Sequence, residues 1–400
     1  MNQNEKKDFS NNFHPICFSK GFSVFLCTFF ACFVLVIPAL LFVLPKSTFS
    51  EDENRTLTSL PTLTSDALFE GAYTEQLSAF LRDHLPLRGP LLKTKAATEL
   101  ALLKKENNHV ITAPNSALVK RFSYTELQLQ VLRDNLLMVT DLKGALSKHG
   151  SAVFLCAPRA VDVLTDSSVY EPAACSPWTI LAEVAPDTLT LRDRLRQRSI
   201  LGERVWFRTD HHWTALGAFY AYEALGEALG YTPYPKDAFT AIEVCHDFLG
   251  TTYSSARIPL VRPDTVTAFR YEGDGGYTCT DRLTGRTRAG LYVEEALAKK
   301  DKYQYFLGEN TARLSITKNG ESDRPTLLII KDSFAQSLVP LLARHFDIEM
   351  LDLRYFRGDA TEVIREITEN PNYVGALILY NADTLTGDAG LGHVDPDILQ

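Results

Sequence analysis

The sequence predicts an α/β fold, a three-layer sandwich around a mostly parallel sheet, preceded by one membrane-crossing helix. Three observations predict it. From Thr326 to Tyr380, short apolar runs alternate with amphipathic stretches, the pattern of parallel strands joined by crossover helices. Upstream, Ala152-Val153-Phe154-Leu155-Cys156-Ala157 has the same strand character and stops at Pro158. At the N-terminus, Gly21 to Pro45 contains no charged residue, and about 20 residues suffice to cross a bilayer as a helix.

That apolar run exceeds the roughly 7–15 residues of a signal-peptide core. Lys46-Ser47-Thr48-Phe49-Ser50 is a poor cleavage site, so 21–45 reads as an uncleaved signal anchor. Pro38 lies within it, which a membrane span tolerates. The alternative is a buried core helix, but nothing so apolar recurs in the chain. Lys6, Lys7 and Lys20 precede the span; Lys46 and then Glu51, Asp52 and Glu53 follow it. The positive-inside bias places 1–20 in the cytoplasm and the remainder outside.

Residues 46–64 are rich in Ser, Thr and acids, with Pro61, and read as a linker. The exterior domain is 65–400. Ser65 is the expected N-cap of a helix reaching Asp83, since Phe69, Tyr73, Leu77, Phe80 and Leu81 share one face. Helices follow over Leu91–Lys105 and Thr125–Lys148. A short helix, Leu189–Arg196, precedes a strand at Val205–Phe207, and an Ala-rich helix covers Thr214–Leu229. Residues 231–320 lack periodicity and read as an irregular insertion of loops and short strands. Then come strand Thr326–Ile330, helix Phe334–His345, strand Ile348–Leu351, helix Ala360–Thr368 and strand Gly375–Tyr380.

Composition is that of a globular chain: 45% hydrophobic and 22% charged. A net charge of -8 lacks the basic stripe that nucleic-acid binding needs, so nucleic acid is excluded as a partner. Cys17, Cys27 and Cys32 lie in or beside the span; Cys156, Cys175, Cys245 and Cys279 lie beyond it. Their spacing fits no zinc pattern. Disulfides are permitted outside the cytoplasm but not demanded, and Cys156, inside an apolar strand, reads as a buried thiol. No cofactor signature is present.

The chemistry centres on Thr209-Asp210-His211-His212-Trp213. On an extended segment, residues i and i+2 share a face, so Asp210 would orient His212 while His211 points away. The matching alcohol is Ser333 in Lys331-Asp332-Ser333-Phe334, where a strand gives way to a helix. Such turns lie at the carboxyl edge of a sheet, and the N–H groups of the following helix start are available to an oxyanion. A serine needs an adjacent base to act as nucleophile. The competing readings are a helix N-cap for Ser333, a turn carboxylate for Asp210 and a structural histidine for His212. A metal reading of Asp210-His211-His212 lacks further ligands of matching spacing. Asn381, after the last strand, is a candidate oxyanion or sugar donor or a turn residue. Tyr253 is a candidate cleft residue. Arg354, Tyr355 and Arg357 suit an anionic or sugar ligand or surface ion pairs. Trp213 would stack on a sugar or pack as core.

The motif Asp-His-His-Trp, with Lys-Asp-Ser-Phe downstream, resembles the DHHW proteins, which are similar to the alginate O-acetyltransferase-like branch of the SGNH hydrolases. Glu53-Asn54-Arg55-Thr56-Leu57, Asp83-His84-Leu85-Pro86-Leu87-Arg88 and Phe248-Leu249-Gly250-Thr251 resemble further landmarks of that family. The resemblance implies an SGNH-hydrolase-like sandwich. It implies a Ser333–His212–Asp210 triad in an O-acyltransferase or acetylesterase of a cell-envelope polysaccharide, and a membrane-bound acyltransferase as partner. Lys331 departs from the family's glycine-rich serine turn, which keeps a non-catalytic, glycan-binding or assembly role open.

Overall fold

The computed structural model describes residues 19–50, 55–166 and 176–399. Lys6, Lys7, Cys17, Glu51–Asn54 and Cys175 lie outside the described residues. The chain divides into two compact units, one of described residues up to 91 and one from 92 onward.

The first unit begins with α1 (Lys20–Val43), 24 residues whose most apolar 18-residue stretch has a mean hydropathy of 2.8, with almost wholly exposed apolar side chains. At 1.5 Å per residue it is about 36 Å long, enough for a hydrocarbon core of about 30 Å. A two-residue ladder follows, β1 (Phe49–Ser50) with β2 (Arg55–Thr56). The helix expected from Ser65 to Asp83 is two helices, α2 (Ser65–Phe69) and α3 (Ala72–Asp83). Gly71, at φ +80°, breaks it. The N-cap is Thr64, not Ser65: its hydroxyl accepts from Ala67 N–H. Asp83 and His84 tie this unit together. Asp83 Oδ2 accepts from the Thr58 N–H (3.0 Å) and hydroxyl (2.9 Å), and His84 Nε2 meets Thr58 O at 2.9 Å. The linker is therefore strapped to the end of α3.

Helix α4 (Arg88–Ala101) contains the division between units. A small antiparallel sheet follows: β3 (Glu106–Asn107), β4 (Val110–Thr112) and β5 (Leu118–Lys120). Then come α5 (Glu126–Leu146), started by a Thr125–Gln128 capping box, β6 (Ser151–Ala157), α6 (Ala160–Leu164), α7 (Pro177–Val184), β7 (Leu189–Thr190), α8 (Arg192–Ile200) and α9 (Ala215–Leu225). Next are β8 (Thr240–Phe248), α10 (Thr251–Ala256), β9 (Asp264–Arg270), β10 (Tyr277–Asp281), β11 (Thr287–Ala289) and β12 (Arg313–Lys318). The chain closes with β13 (Thr326–Lys331), α11 (Ala335–Leu342), β14 (Asp347–Leu351), α12 (Thr361–Thr368) and β15 (Tyr373–Asn381).

The central sheet has the order β11-β10-β12-β14-β13-β15-β6-β7. The run from β14 to β7 is parallel; β12, β10 and β11 extend one edge antiparallel. Residues 231–320, expected as an irregular insertion of loops and short strands, contribute three strands to this sheet. These strands are short and only partly buried, too few side chains each for a clear period. The short helix expected from Leu189 is instead edge strand β7 followed by α8. Val205–Phe207 joins no sheet; Trp206 only bridges Trp213.

Both faces of the parallel strands are covered, which explains their unbroken apolar sequences. Leu327, Ile329, Leu377, Leu379 and Leu155 face one core with α8, α9 and α11; Leu328, Ile330, Ile378, Phe154 and Cys156 face the other with α5, α7 and α12. Cys156 is a buried free thiol as expected. Leu377, in the middle of β15, is fully buried. Leu377→Ala is expected to cost about 2–5 kcal/mol, read as a lowered denaturant midpoint of the purified chain.

Candidate active site

Asp210 and His212 do not lie on an extended strand. Residues 208–212 form a bend between Trp206 and Trp213, with Phe207 N–H donating to His212 O (3.3 Å) and Thr214 N–H to Val205 O (3.1 Å). An Asx turn brings the two side chains together. Asp210 Oδ1 accepts from His212 N–H at 3.0 Å and faces His212 Nδ1 at 2.6 Å. An ionised carboxylate only accepts, so Nδ1 carries the hydrogen and Nε2 keeps its lone pair. Nε2 lies 2.8 Å from Ser333 Oγ, within the roughly 2.6–3.2 Å reach of proton transfer.

Two further segments hold this bend. The buried Asp264 carboxylate accepts from Arg208 N–H (3.0 Å), Thr209 N–H (2.8 Å) and the Thr209 hydroxyl (2.7 Å). The Phe248–Thr251 turn supplies the second support. Thr251 donates from its N–H (2.8 Å) and hydroxyl (3.0 Å) to Asp210 Oδ2. Gly250 is required there because a Cβ would overlap the Asp210 carboxylate. Phe248, fully buried, packs edge-on against Phe207. Tyr303 stacks on His212 with centroids 3.9 Å apart and planes 7° from parallel. Its hydroxyl is hydrogen-bonded to Ser337 Oγ at 3.0 Å.

His211 does not point away. Its ring is 3.8 Å from that of His212, and its Nδ1–H donates to Thr251 Oγ1 at 2.6 Å. The bend, rather than a strand, removes the alternation that would have separated them. Asp210, His211 and His212 offer ligand atoms within 4.8 Å of one another. Those of Asp210 and His212 are already committed to each other, to Thr251 and to Ser333. A metal ion would have to displace those bonds, so the residues present do not fit an ion well.

Ser333 sits between β13 and α11. Its hydroxyl meets His212 and does not cap the helix. The N–H groups expected to be free at the helix start are taken. Phe334 N–H donates to Asp332 Oδ1 (2.9 Å), Ala335 N–H to Asp332 O (3.4 Å) and Gln336 N–H to Ser333 O (3.2 Å). The Ser333 N–H has no acceptor among the described residues. Asp332 Oδ2 accepts from Asn381 N–H (2.6 Å) and the Thr384 hydroxyl (2.8 Å), fixing the turn to the end of β15. Lys331 is buried, donating to Asn310 Oδ1 (2.5 Å) and pairing with Asp352 (3.2 Å).

Several expected ligand residues are placed otherwise. Trp213 is fully buried, its indole N–H donating to Phe334 O (3.1 Å) and Ser337 Oγ (3.0 Å), so it is core and not a sugar platform. Asn381 spends its amide on the Ala157 (3.2 Å) and Pro158 (2.7 Å) carbonyls and its oxygen on Asp383 N–H (2.9 Å). It stitches β15 to β6 and has no donor left for an oxyanion. Tyr253 borders a separate cavity of about 370 Å³ with Leu249 and Ser254, not the one beside His211. Arg354 is held bidentate by buried Asp352 at 2.8 and 2.7 Å, while Tyr355 is exposed. Arg357 donates to the neighbouring Phe356 carbonyl.

The cavity beside His211, about 280 Å³, is bordered by Lys120, Phe122, Arg159, Thr251 and Asp383. Sequence reasoning missed Lys120, Phe122, Arg159 and Asp383. Arg159 and Asp383 had a signal: each follows a parallel strand at its carboxyl end. A larger cavity, about 820 Å³, contains none of Asp210, His212 and Ser333.

Charge follows geometry. Burial pushes the Asp210 carboxyl up, but the adjacent His211 and His212, with hydrogen bonds from His212 and Thr251, hold it well below the usual carboxylate range. His211 is lowered by burial and by the His212 ring; the exposed 49% of its side chain lets solvent temper that shift. Burial raises Asp383, opposed by Lys120 and Arg159. Burial lowers Lys331, opposed by Asp352.

The serine at the carboxyl edge of the parallel sheet, met there by an Asp–His pair, lies in an α/β sandwich with a largely parallel central sheet. Residues 195–351 match the DHHW protein family. A DHHW family protein from Eubacterium siraeum DSM 15702 superposes with a TM-score of 0.58 at 20% identity, over 72% of this chain and 96% of that one. Bacillus cereus PatB1, solved with a sulfonyl adduct, gives 0.54 at 20% identity over 70% of this chain and 98% of that one. The O-acetyltransferase domain of Pseudomonas putida AlgJ gives a TM-score of 0.43 at 17% identity, over 72% of this chain and 96% of that one. No functionally curated protein matches the chain.

Gly250→Ala is expected to cost about 1–3 kcal/mol by overpacking against Asp210, measured by denaturant unfolding. Because the folded Asp210 pKa lies below its unfolded value of about 3.9, its ionised form adds stability above about pH 4 that is lost as pH falls through the folded pKa. The stability gap between the native chain and Asp210→Asn, followed by thermal unfolding at stepped pH, should therefore shrink as pH falls below about 4.

Proposed function

We propose that this chain is a membrane-anchored, extracytoplasmic O-acyltransferase or acetylesterase acting on a cell-envelope polysaccharide. In this reading Ser333 is the nucleophile, His212 the general base and Asp210 the acid that orients it. The observation carrying the proposal is the unbroken hydrogen-bonded chain Asp210–His212–Ser333, at 2.6 and 2.8 Å, assembled from segments far apart in sequence. Neither an N-cap serine nor a structural histidine needs that chain.

The reaction begins with an acyl ester whose carbonyl carbon lies against Ser333 Oγ. As the C–O bond forms, His212 Nε2 takes the hydroxyl proton, and Asp210 stabilises the resulting imidazolium without becoming protonated. Tyr303, stacked on that ring, adds cation–π stabilisation as the charge appears. The Ser333 N–H donates to the oxyanion. Collapse expels the donor alcohol, which receives the proton from His212, and leaves an acyl-serine. A sugar hydroxyl then attacks, again through His212; water in its place makes the protein an esterase. Lys331 does not argue for a binding-only protein, since its ammonium is occupied by Asp352 and Asn310.

α1 supports the membrane anchor by its length and apolarity; the exterior placement of the catalytic domain and the membrane-bound acyltransferase partner rest on the flanking charges and the family resemblance. Ser333→Ala and His212→Ala are each expected to lower acetyl-ester turnover about a thousandfold or more with the thermal unfolding midpoint preserved. Turnover of 4-nitrophenyl acetate by the purified full chain reads this directly. Full activity in either folded variant would discard the assignment.

A further inference from the structure

The cavity beside His211 is bordered by two opposite charges that form no ion pair with each other. Asp383 and Lys120 both border its volume of about 280 Å³, yet neither forms an ion pair among the described residues. Lys120 Nζ rests 5.0 Å from the Phe122 ring centroid and reaches no carboxylate. The Asp383 carboxylate receives one long hydrogen bond among the described residues, from the Tyr124 hydroxyl at 3.4 Å. An ionised carboxylate has about four acceptor positions, so most of this one's capacity is turned to the cavity. Asp383 is half-buried, and its polar neighbours are satisfied: Arg159 holds Asp162 bidentate at 2.9 and 2.8 Å, and Asn381 is fully committed.

The location adds a second constraint. Asp383 follows β15 by two residues, and Asn381 of the same segment donates its N–H to Asp332, the neighbour of Ser333. Thr251 and His211, which complete the Asp210–His212 bend, form another side of the cavity. A group in this cavity is therefore bordered by the same elements that hold the nucleophile and its base. The volume lies near the lower end of the roughly 300–1,000 Å³ of small-molecule sites, suited to one ring rather than an extended chain. A spaced acceptor and donor matches the hydroxyl array of a sugar, whose O–H groups donate to a carboxylate and accept from an ammonium.

We propose that this cavity is the subsite for the acceptor sugar, with Asp383 accepting its hydroxyl hydrogens and Lys120 donating to a second ring oxygen substituent. The proposal deepens the acyl-transfer reading and rests on it for the word acceptor. Asp383 and Lys120 are specificity-determining residues here, not participants in the proton transfers.

The test is equilibrium titration of the detergent-solubilised full chain carrying Ser333→Ala, so that nothing is turned over. Chitopentaose, cellopentaose and an oligogalacturonate of similar length are the probes. Binding of at least one is expected. Adding Asp383→Ala should weaken it about tenfold or more, as for hydrogen bonds to a charged group. Lys120→Met, at an exposed position, should weaken it severalfold with an unchanged unfolding midpoint, which covers the case in which the Asp383 variant misfolds. Failure of all three sugars to bind, or equal affinity in folded Asp383→Ala and Lys120→Met variants, overturns the proposal. Labelling of the unsubstituted chain by phenylmethylsulfonyl fluoride is read in parallel. Sugar binding that depends on Asp383 without labelling at Ser333 keeps the subsite and removes the triad; labelling without such binding does the reverse.

Discussion

The site depends on one buried carboxylate. Asp210 is almost inaccessible and accepts from the His212 N–H, His212 Nδ1, the Thr251 N–H and the Thr251 hydroxyl. Those bonds recover what desolvation costs an anion, and they fix three things at once: the bend of 208–212, the tautomer of His212 and the approach of the 250–251 turn. Without that carboxylate, Asp264 still holds residues 208 and 209, but His212 Nδ1 loses its partner. The glycine before Thr251 belongs to the same constraint, since only a residue without Cβ lets the turn come so near.

The opposite half of the site is built from the sheet itself. Asp332 caps the turn after β13 while tying it to the end of β15, and Asn381 ties β15 to the end of β6. Three adjacent parallel strands are thereby cross-linked at their carboxyl ends by polar side chains. Ser333 is presented on this platform with its hydroxyl turned outward. The buried Lys331–Asp352–Arg354 group lies behind the platform and satisfies its own charges. What looked in sequence like a disturbance of the serine turn is a closed ionic cluster.

Much of this was legible in the sequence. The parallel strands announce themselves because burial on both faces demands uninterrupted apolar runs, and β6, β13, β14 and β15 were found nearly to the residue. The N-terminal helix was legible from its uncharged length, and the serine turn from its place after an apolar strand. The Asp210–His212 relation was recognised with the wrong backbone: an Asx turn and a strand both bring i and i+2 together, and sequence spacing does not distinguish them. His211 was misplaced for that reason, and Trp213 takes the core alternative rather than the sugar one. The antiparallel edge formed by β10, β11 and β12 was hidden because short, half-exposed strands carry little periodicity. Asp264 and Tyr303, which support the bend from 55 and 91 residues beyond the residues they touch, have no local signature, since their roles arise only from tertiary contact. Asn381 and Tyr253 were chosen for their position near strand ends and turns; the hydrogen bonds that commit the one and the cavity that claims the other are invisible at that level.

The central claim is that His212 keeps a lone pair on Nε2 facing Ser333 because Asp210 holds the hydrogen on Nδ1. Two-bond nitrogen–proton correlation spectra of the histidine rings at neutral pH, with the His212 signals assigned by loss in His212→Gln, test it most directly. The account requires an unprotonated Nε2 and a protonated, strongly downfield Nδ1–H. A His212 protonated on Nε2 and bare on Nδ1 would contradict it, for the imidazole would then have no base to offer the serine.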